Sequence, residues 1–180
     1  MKKLRALATV PVLLAACCAP APEPAPPPVV TQPAPTPSPT PPPVVSEPEF
    51  ENWLDAPQTL GDWTYRDGTG LSYATFSANG EPARFGIECA KSTRTIHLVR
   101  GSRLTQTVPM RIRTETAQRL VNAQPSSDGR PILRATLPAN DRLLDAIALS
   151  RGRFAVETGG METLYLPAWP EITRVIEDCR

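Results

Sequence analysis

Fourteen of the chain's 23 prolines lie between residues 19 and 48, and this clustering decides where a folded body can form. The stretch contains no aromatic residue, and its only charged residues are Glu23 and Glu47. Such a composition cannot build a core and favours polyproline II, in which thirty residues span up to about 90 Å. We therefore predict a semi-rigid linker, which serves either as a stalk or simply as an exposed spacer that resists proteolysis.

The residues before this linker have the three-part layout of a bacterial secretory signal. A basic start over residues 1–5 precedes an apolar run over residues 6–16, which is too short to span a bilayer. The run closes with Leu14-Ala15-Ala16-Cys17, which resembles the lipobox of bacterial lipoproteins. That resemblance implies cleavage before Cys17 and attachment of acyl chains such as palmitate to its sulfur. Ordinary signal cleavage, with Cys17 merely nearby, is the alternative.

The residue after Cys17 bears on the destination of the protein. It is Cys18 and not aspartate, and lipoproteins without aspartate at this position are usually carried on to the outer membrane. Buried acyl methylenes contribute about 0.8 kcal/mol each, so two or three chains make release from the membrane negligible. We predict a signal peptide over residues 1–16, the lipidated cysteine and linker over residues 17–49, and one globular domain over residues 50–180. The domain is expected to face the periplasm.

Charge in the predicted domain is nearly balanced. From residue 50 onward there are 16 basic and 15 acidic residues, and all but one of the basic residues are arginines. A net charge of +1 gives no electrostatic basis for binding nucleic acid, so we predict no nucleic-acid partner. About 130 residues are enough for a single independent core.

Alternating apolar residues and turn signals predict an antiparallel β-meander sheet or a small sandwich, with two helices packed on it, in an α+β fold. Helices are expected at residues 140–150, opened by an Asn140-Asp141 cap, and at residues 170–179, opened by Pro170. The predicted strands cover residues 62–67, 71–77, 83–89, 94–100, 110–114, 132–136, 154–157 and 163–166.

Two cysteines fall on predicted core-facing positions. Cys179 shares the apolar stripe of the last helix with Val175 and Ile176, and Cys89 shares one strand face with Ile87. In an oxidising compartment these positions predict a Cys89–Cys179 disulfide. Closing a loop of about ninety residues stabilises the fold by roughly 4 to 5 kcal/mol at most. Two separate buried thiols are the alternative.

Four segments carry a resemblance to small lipoproteins and periplasmic proteins of unassigned function in Gram-negative bacteria. They are WTYR at residues 63–66, FGIEC at 85–89, LDAIALSRGRFAV at 144–156 and PAWPEITRVIEDCR at 167–180. The layout is more distantly similar to the VasI-type periplasmic domain associated with type VI secretion, which has an early tryptophan, a mid-chain strand cysteine and a C-terminal cysteine. Neither resemblance implies a known reaction.

Candidate catalytic groups are few. His97 is the only histidine, and its position within a predicted strand is more typical of a sheet-surface residue than of a general base. Asp141 and Asp145 are four residues apart on a predicted helix, where they could hold a cation, although a cap and a solvated face are the commoner roles. The sequence lacks G-x-S-x-G, C-x-x-C, H-E-x-x-H and phosphate-loop motifs. We predict no catalytic residue, no cofactor and no metal site.

Arg151 and Arg153 form a candidate ligand-binding pair, because guanidinium groups match carboxylates and phosphates with two parallel hydrogen bonds. Alternatively, Arg151 complements the end of the preceding helix and Arg153 pairs with Glu157 or Glu171. The sequence also leaves two roles open for the three tryptophans, which either close the ends of the core or form a binding surface; they are Trp53, Trp63 and Trp169.

These features favour a non-enzymatic outer-membrane lipoprotein whose domain binds or scaffolds another envelope protein. A carboxylate-dependent cell-envelope hydrolase is one alternative. An inhibitor or immunity-like lipoprotein is another.

Overall fold

The computed structural model describes residues 43–44, 50 and 52–180. The predicted signal peptide, Cys17 and most of the linker lie outside the described residues, so those predictions are not tested by the fold. Among the residues that are described, no helix is long and apolar enough to cross a membrane.

In the described part of the chain, nine strands and two α-helices follow a short 3₁₀ turn at Trp53–Asp55. The elements are β1 (Asp62–Asp67), β2 (Leu71–Ser77), β3 (Phe85–Ala90), β4 (Thr95–Gly101), β5 (Val108–Arg113), β6 (Gln118–Pro125), β7 (Ile132–Pro138), α1 (Arg142–Ala148), β8 (Arg153–Thr158), β9 (Leu164–Pro167) and α2 (Pro170–Asp178).

All nine strands belong to one curled antiparallel sheet with the order β1-β2-β3-β4-β7-β6-β5-β8-β9. Only the first four strands follow chain order as a meander; the next three run back, so that β7 pairs with β4 and β5 pairs with β8. The two edge strands, β1 and β9, lie close together in the curled sheet. The Trp63 indole Nε1 of β1 donates a hydrogen bond to the Pro167 carbonyl of β9 at 2.9 Å. The coarse α+β prediction is confirmed, but the sheet is neither one continuous meander nor a clear sandwich.

Helix α2 packs on β1, β2 and β3, helix α1 packs on α2, and both contribute residues to the main core. The α2 stripe that includes Val175 and Ile176 is buried, and it packs against the inner faces of β1, β2 and β3. Cys179 at the end of α2 forms the predicted disulfide with Cys89 on β3, with their Cα atoms 5.6 Å apart. The spacing of apolar residues therefore identified both core-facing cysteines correctly.

The helix boundaries also follow the predicted signals. Asp141 is the N-cap of α1, and its side chain accepts from the Leu143 backbone N–H at 2.8 Å. Pro170 is the first residue of α2, where a missing N–H removes no helical hydrogen bond. Helix α1 ends at Ala148, two residues before the predicted end, and Gly152 adopts a φ of 78° shortly after it.

Strand β6 is the element that the sequence did not predict. Its first half departs from the usual alternation, because Leu120 is exposed and Arg119 points inward; in its second half Val121 and Ala123 face inward as in a normal half-buried strand. Ala123 is its one fully buried hydrophobic residue. With so little apolar alternation, pairing with β5 determines that this segment is a strand.

Residues 52–60, which we call the strap, cover the outer face of β8 and β9. Trp53 and Ala56 of the strap form a small core with Ala155 and Tyr165. Thr59 also binds the outer edge of β9, because its backbone N–H donates to the Tyr165 carbonyl and its hydroxyl accepts from the Tyr165 N–H, each at 2.9 Å. The strap thus covers a sheet edge that would otherwise be open to pairing with other chains.

A charged cluster is buried beneath the strap. The Glu157 side chain is 1% exposed and lies between Arg111, whose Nη1 is 2.9 Å from Oε2, and Arg113, whose Nη1 is 3.1 Å from Oε1. The Arg113 guanidinium also lies over the Trp53 ring, 6.0 Å from its centroid. The suggested pairing of Glu157 with Arg153 is therefore wrong.

Candidate functional site

An open groove of about 470 Å³ lies between the strap, the β2–β3 connection and the loop before β9. We call it the strap groove. Its strap side includes Leu60, whose side chain is 83% exposed, and its opposite side includes Arg84 and Glu162. The volume is within the range of about 300–1,000 Å³ that is usual for ligand pockets.

One wall of the strap groove is aromatic. The Phe50 and Tyr165 rings meet edge to face, with centroids 6.3 Å apart and planes at 87°. Tyr165 is held in place from behind, since its backbone is bonded to Thr59 and its ring packs on the strap core. The groove therefore presents a fixed apolar surface beside charged side chains.

The charged part of the groove consists of Arg84 and its neighbours Glu81 and Glu162. The Arg84 guanidinium lies 3.7 Å from Glu81 and 3.6 Å from Glu162. Arg100 lies behind it; its Nη1 donates to the Arg84 carbonyl at 2.7 Å, and its Nη2 is 4.0 Å from the same Glu162 oxygen. Glu162 is thus close to both guanidinium groups.

Arg100 is unusual because it is 3% exposed and faces the interior of the curled sheet. It pairs across the strands with Phe85 and Leu133, both of which are core residues. Burial lowers the pKa of Arg100 to about 10, against the opposing effect of Glu162, so the guanidinium stays charged at neutral pH. Its position at the end of β4 lets the apolar stem pack in the core while the charged group reaches the rim.

Sequence reasoning did not identify Arg100, although a signal was present. Ile96, Leu98 and Arg100 alternate with a period of two, so a strand that buries the first two residues also turns the arginine inward. Arg84 and Glu162 carry no comparable signal, because both lie in connections between strands.

The structure places His97 on the outer face of β4. Its Nδ1 is 3.0 Å from the Thr136 hydroxyl oxygen on the neighbouring strand. Burial, and then the nearby Arg134 cation, lower the pKa of His97, whereas Glu88 has the opposite effect. The residue is a half-buried sheet-surface histidine, as its strand position suggested.

Asp141 and Asp145 interact with different arginines. Asp141 caps α1 and forms an ion pair with the Arg119 Nη2 at 2.8 Å; burial acts to raise its pKa, but the Arg119 guanidinium and the Leu143 N–H together lower it. Asp145 lies 2.6 Å from the Arg180 Nη2 at the C-terminus. Each acid therefore has a structural partner of its own.

Arg151 and Arg153 have separate environments. Arg151 is highly exposed and its Nε is 4.0 Å from Glu115. Arg153 instead donates from Nη1 to the Ala56 carbonyl, which fastens the strap to β8. The alternative to ligand binding was a pairing of Arg153 with an acid such as Glu157 or Glu171, and in the described residues its guanidinium instead binds a strap carbonyl. Joint binding of a ligand by the two arginines stays a prediction.

The tryptophans divide between core and surface. Trp63 is buried and meets Phe76 edge to face at 5.4 Å, and Trp53 is buried in the strap core. Trp169 is partly exposed immediately before α2. Two of the three therefore close the ends of a core, which is the commoner role of such residues.

A second groove, of about 590 Å³, lies between β1 and α2. Its centre is a hydrogen bond of 2.7 Å from the Tyr65 hydroxyl to Asp178, which raises the pKa of Tyr65 to about 12. The Arg174 guanidinium lies over the same ring, 5.0 Å from its centroid. These side chains bind one another and join α2 to the edge of the sheet.

No family model, curated protein or solved structure significantly matches this chain. The resemblance to Gram-negative lipoproteins and to the VasI-type domain accordingly stays a prediction.

Proposed function

We propose that this chain is an outer-membrane-anchored lipoprotein whose periplasmic domain binds another envelope protein and acts as a scaffold, without catalysing a reaction. The observation that carries the proposal is the strap groove, in which an aromatic wall stands beside Arg84 and two acids, with the buried Arg100 behind Arg84. Aromatic and arginine side chains are the residue types that contribute most to protein recognition surfaces.

The construction of the groove supports recognition of a partner by a preformed surface. Tyr165 of its aromatic wall is held by the strap, and Arg100, which lies behind Arg84, is held by β4 and by a hydrogen bond to the Arg84 carbonyl. The Cys89–Cys179 disulfide closes the same domain covalently. A surface that is ordered before binding loses less conformational entropy when a partner docks.

The N-terminal sequence supports the proposed location. The Leu14-Ala15-Ala16-Cys17 motif supplies the lipid anchor, and the proline-rich linker gives the domain a reach of up to about 90 Å from it. A tethered domain searches for partners near one membrane, where its effective concentration is high.

Replacing Cys17 by serine is expected to move the protein from the outer-membrane fraction to the soluble periplasmic fraction, because the sulfur that accepts the acyl chains is lost. Fractionation of cells followed by immunoblotting measures the change. Cys18→Ser is the matched control and keeps the protein in the membrane fraction. Equal distribution of the Cys17→Ser variant and the unaltered protein would contradict lipid anchoring.

Site-specific photocrosslinking in living cells tests the binding function. A photoreactive amino acid at Leu60, on the rim of the strap groove, is expected to capture an envelope protein as a discrete adduct identified by mass spectrometry. The same amino acid at Leu120, an exposed leucine on the outer face of β6, is the control and gives no such adduct. The same adducts at both positions, or none at Leu60, would count against the proposal.

A further inference from the structure

The Arg100 guanidinium has unused hydrogen-bonding capacity next to the strap groove. A guanidinium carries five N–H donors, and buried donors are normally satisfied. In the described residues Arg100 makes one hydrogen bond, to the Arg84 carbonyl, and its buried Nε has no partner. Its Nη2 is 4.0 Å from Glu162, which is beyond hydrogen-bonding distance. The buried cation is thus incompletely paired.

Glu162 occupies the space in front of both arginines but binds neither closely. A single oxygen, Oε1, lies 3.6 Å from Arg84 and 4.0 Å from Arg100, whereas an arginine usually holds a carboxylate at about 2.7–2.9 Å. The Glu162 side chain is also 62% exposed. Exposed ion pairs of this kind contribute little, so an incoming anion can displace this side chain.

We propose that the strap groove binds the C-terminal carboxylate of a partner peptide, and that Glu162 occupies the place of that carboxylate in the unliganded protein. The inference rests on the proposed binding function and specifies its ligand. On binding, the ligand carboxylate accepts hydrogen bonds from Arg84 and Arg100, and the Glu162 side chain turns into solvent. No covalent bond changes.

The charges of the groove favour a group with one negative charge. Arg84 and Arg100 are balanced by Glu81 and Glu162, so the four side chains sum to zero. A terminal carboxylate can replace the Glu162 carboxylate without adding further charge beside the arginines. Phosphate, which approaches a dianion at neutral pH, would meet stronger repulsion from the two acids.

The aromatic wall defines the rest of the ligand. Phe50 and Tyr165 line the same groove as Arg84 and offer an apolar surface to the last side chain of the peptide, while Arg100 lies behind Arg84. We therefore expect an apolar or aromatic C-terminal residue, with the carboxylate directed at the arginines and the side chain packed on the rings.

The test uses the purified full-length protein in detergent micelles and the probe N-acetyl-Ala-Ala-Phe with a free C-terminal carboxylate. Two comparison probes are used. The C-terminal amide of the same peptide has no carboxylate, and N-acetyl-Ala-Glu-Phe-amide has a carboxylate only on its glutamate side chain. NMR titration of backbone amides measures affinity. The free acid is expected to shift residues of the strap groove and to bind about tenfold more tightly than either amide.

Variants of Glu162 and Arg84 identify the groups that act. Glu162→Gln removes the competing charge and is expected to raise affinity for the free acid about threefold or more, whereas Arg84→Gln is expected to lower it about tenfold. Glu177→Gln is the matched control, because Glu177 is 66% exposed, lies 3.9 Å from an arginine and does not line the groove. It leaves affinity unchanged.

Several results would overturn the inference. Equal binding of the acid and its amide, weaker binding by Glu162→Gln, tighter binding of inorganic phosphate, or no shift at millimolar peptide would each do so. Glu162→Gln changes only an exposed side chain, so its result does not depend on altered folding. A groove adduct at Leu60 combined with any of these results would retain the proposed function and remove only the ligand class.

Discussion

Replacing Cys89 and Cys179 together by alanine is expected to lower the free energy of unfolding by about 4 kcal/mol. The bond closes a loop with a sequence separation of 90 residues, and without it the unfolded chain regains the entropy of that loop. It also fixes the end of α2 to β3, on which the inner packing of that helix depends. Thermal and denaturant unfolding of the oxidised protein and the variant measure the loss, which corresponds to about 15 °C in Tm.

Reductant provides the internal control for this prediction. Dithiothreitol is expected to lower the stability of the unaltered protein toward that of the double variant and to leave the variant itself unchanged. A Cys18→Ala variant, altered outside the domain, should unfold like the unaltered protein. If both domain cysteines of exported, unreduced protein were freely alkylated, or if the double variant melted at the same temperature, the predicted role of the bond would be wrong.

Local patterns predicted the features that depend on a single element. The α2 stripe and the Phe85-Ile87-Cys89 alternation placed two cysteines in one core, and the Asp141 cap and Pro170 placed the helix starts. On β5, Met110 and Ile112 face the core and the alternating Arg111 and Arg113 face outward, as expected. Each of these follows from the period of a helix or a strand.

Features that depend on distant segments could not be predicted in the same way. Residues 52–60 show no strong periodicity, and only the folded sheet provides the surface on which the strap packs. Strand β6 alternates only over residues 121–124, because its inward Arg119 reaches the cap of α1 and its Leu120 points outward. The strap groove was missed for the same reason, since Arg84, Glu162 and the strap residues meet only when three connections converge.

One signal of the strap was nevertheless present in β8. Phe154, Ala155 and Val156 are apolar at both odd and even positions, which is typical of a strand that is buried on both faces. Phe154 and Val156 belong to the main core, and Ala155 belongs to the strap core. The continuous apolar run of β8, a strand next to the edge of the sheet, thus indicated that another segment covers its outer face. Glu157 follows in the same run and is buried with it.

Replacing Glu157 by alanine is therefore expected to lower the free energy of unfolding by about 3–4 kcal/mol. The carboxylate is 1% exposed and is the shared partner of Arg111 and Arg113, so its removal leaves two partly buried cations without their counter-ion beneath the strap. Repulsion between these cations disfavours the packing of the Trp53 ring against the Arg113 guanidinium. Chemical denaturation measures the loss, and quenching of tryptophan fluorescence by acrylamide reports exposure of the strap.

The matched control for this cluster is Glu81→Ala, which removes an exposed acid that also faces an arginine. Because water screens that pair, the expected loss is below about 1 kcal/mol. Replacing Glu157 by glutamine should give an intermediate loss, since the amide keeps the volume and one acceptor but not the charge. Equal effects of the Glu157 and Glu81 substitutions would show that burial beneath the strap does not strengthen the cluster. A large loss confined to the Glu157 variant would instead show that the strap and the charges under it stabilise each other. Residues 57–60 of the same strap line one side of the strap groove.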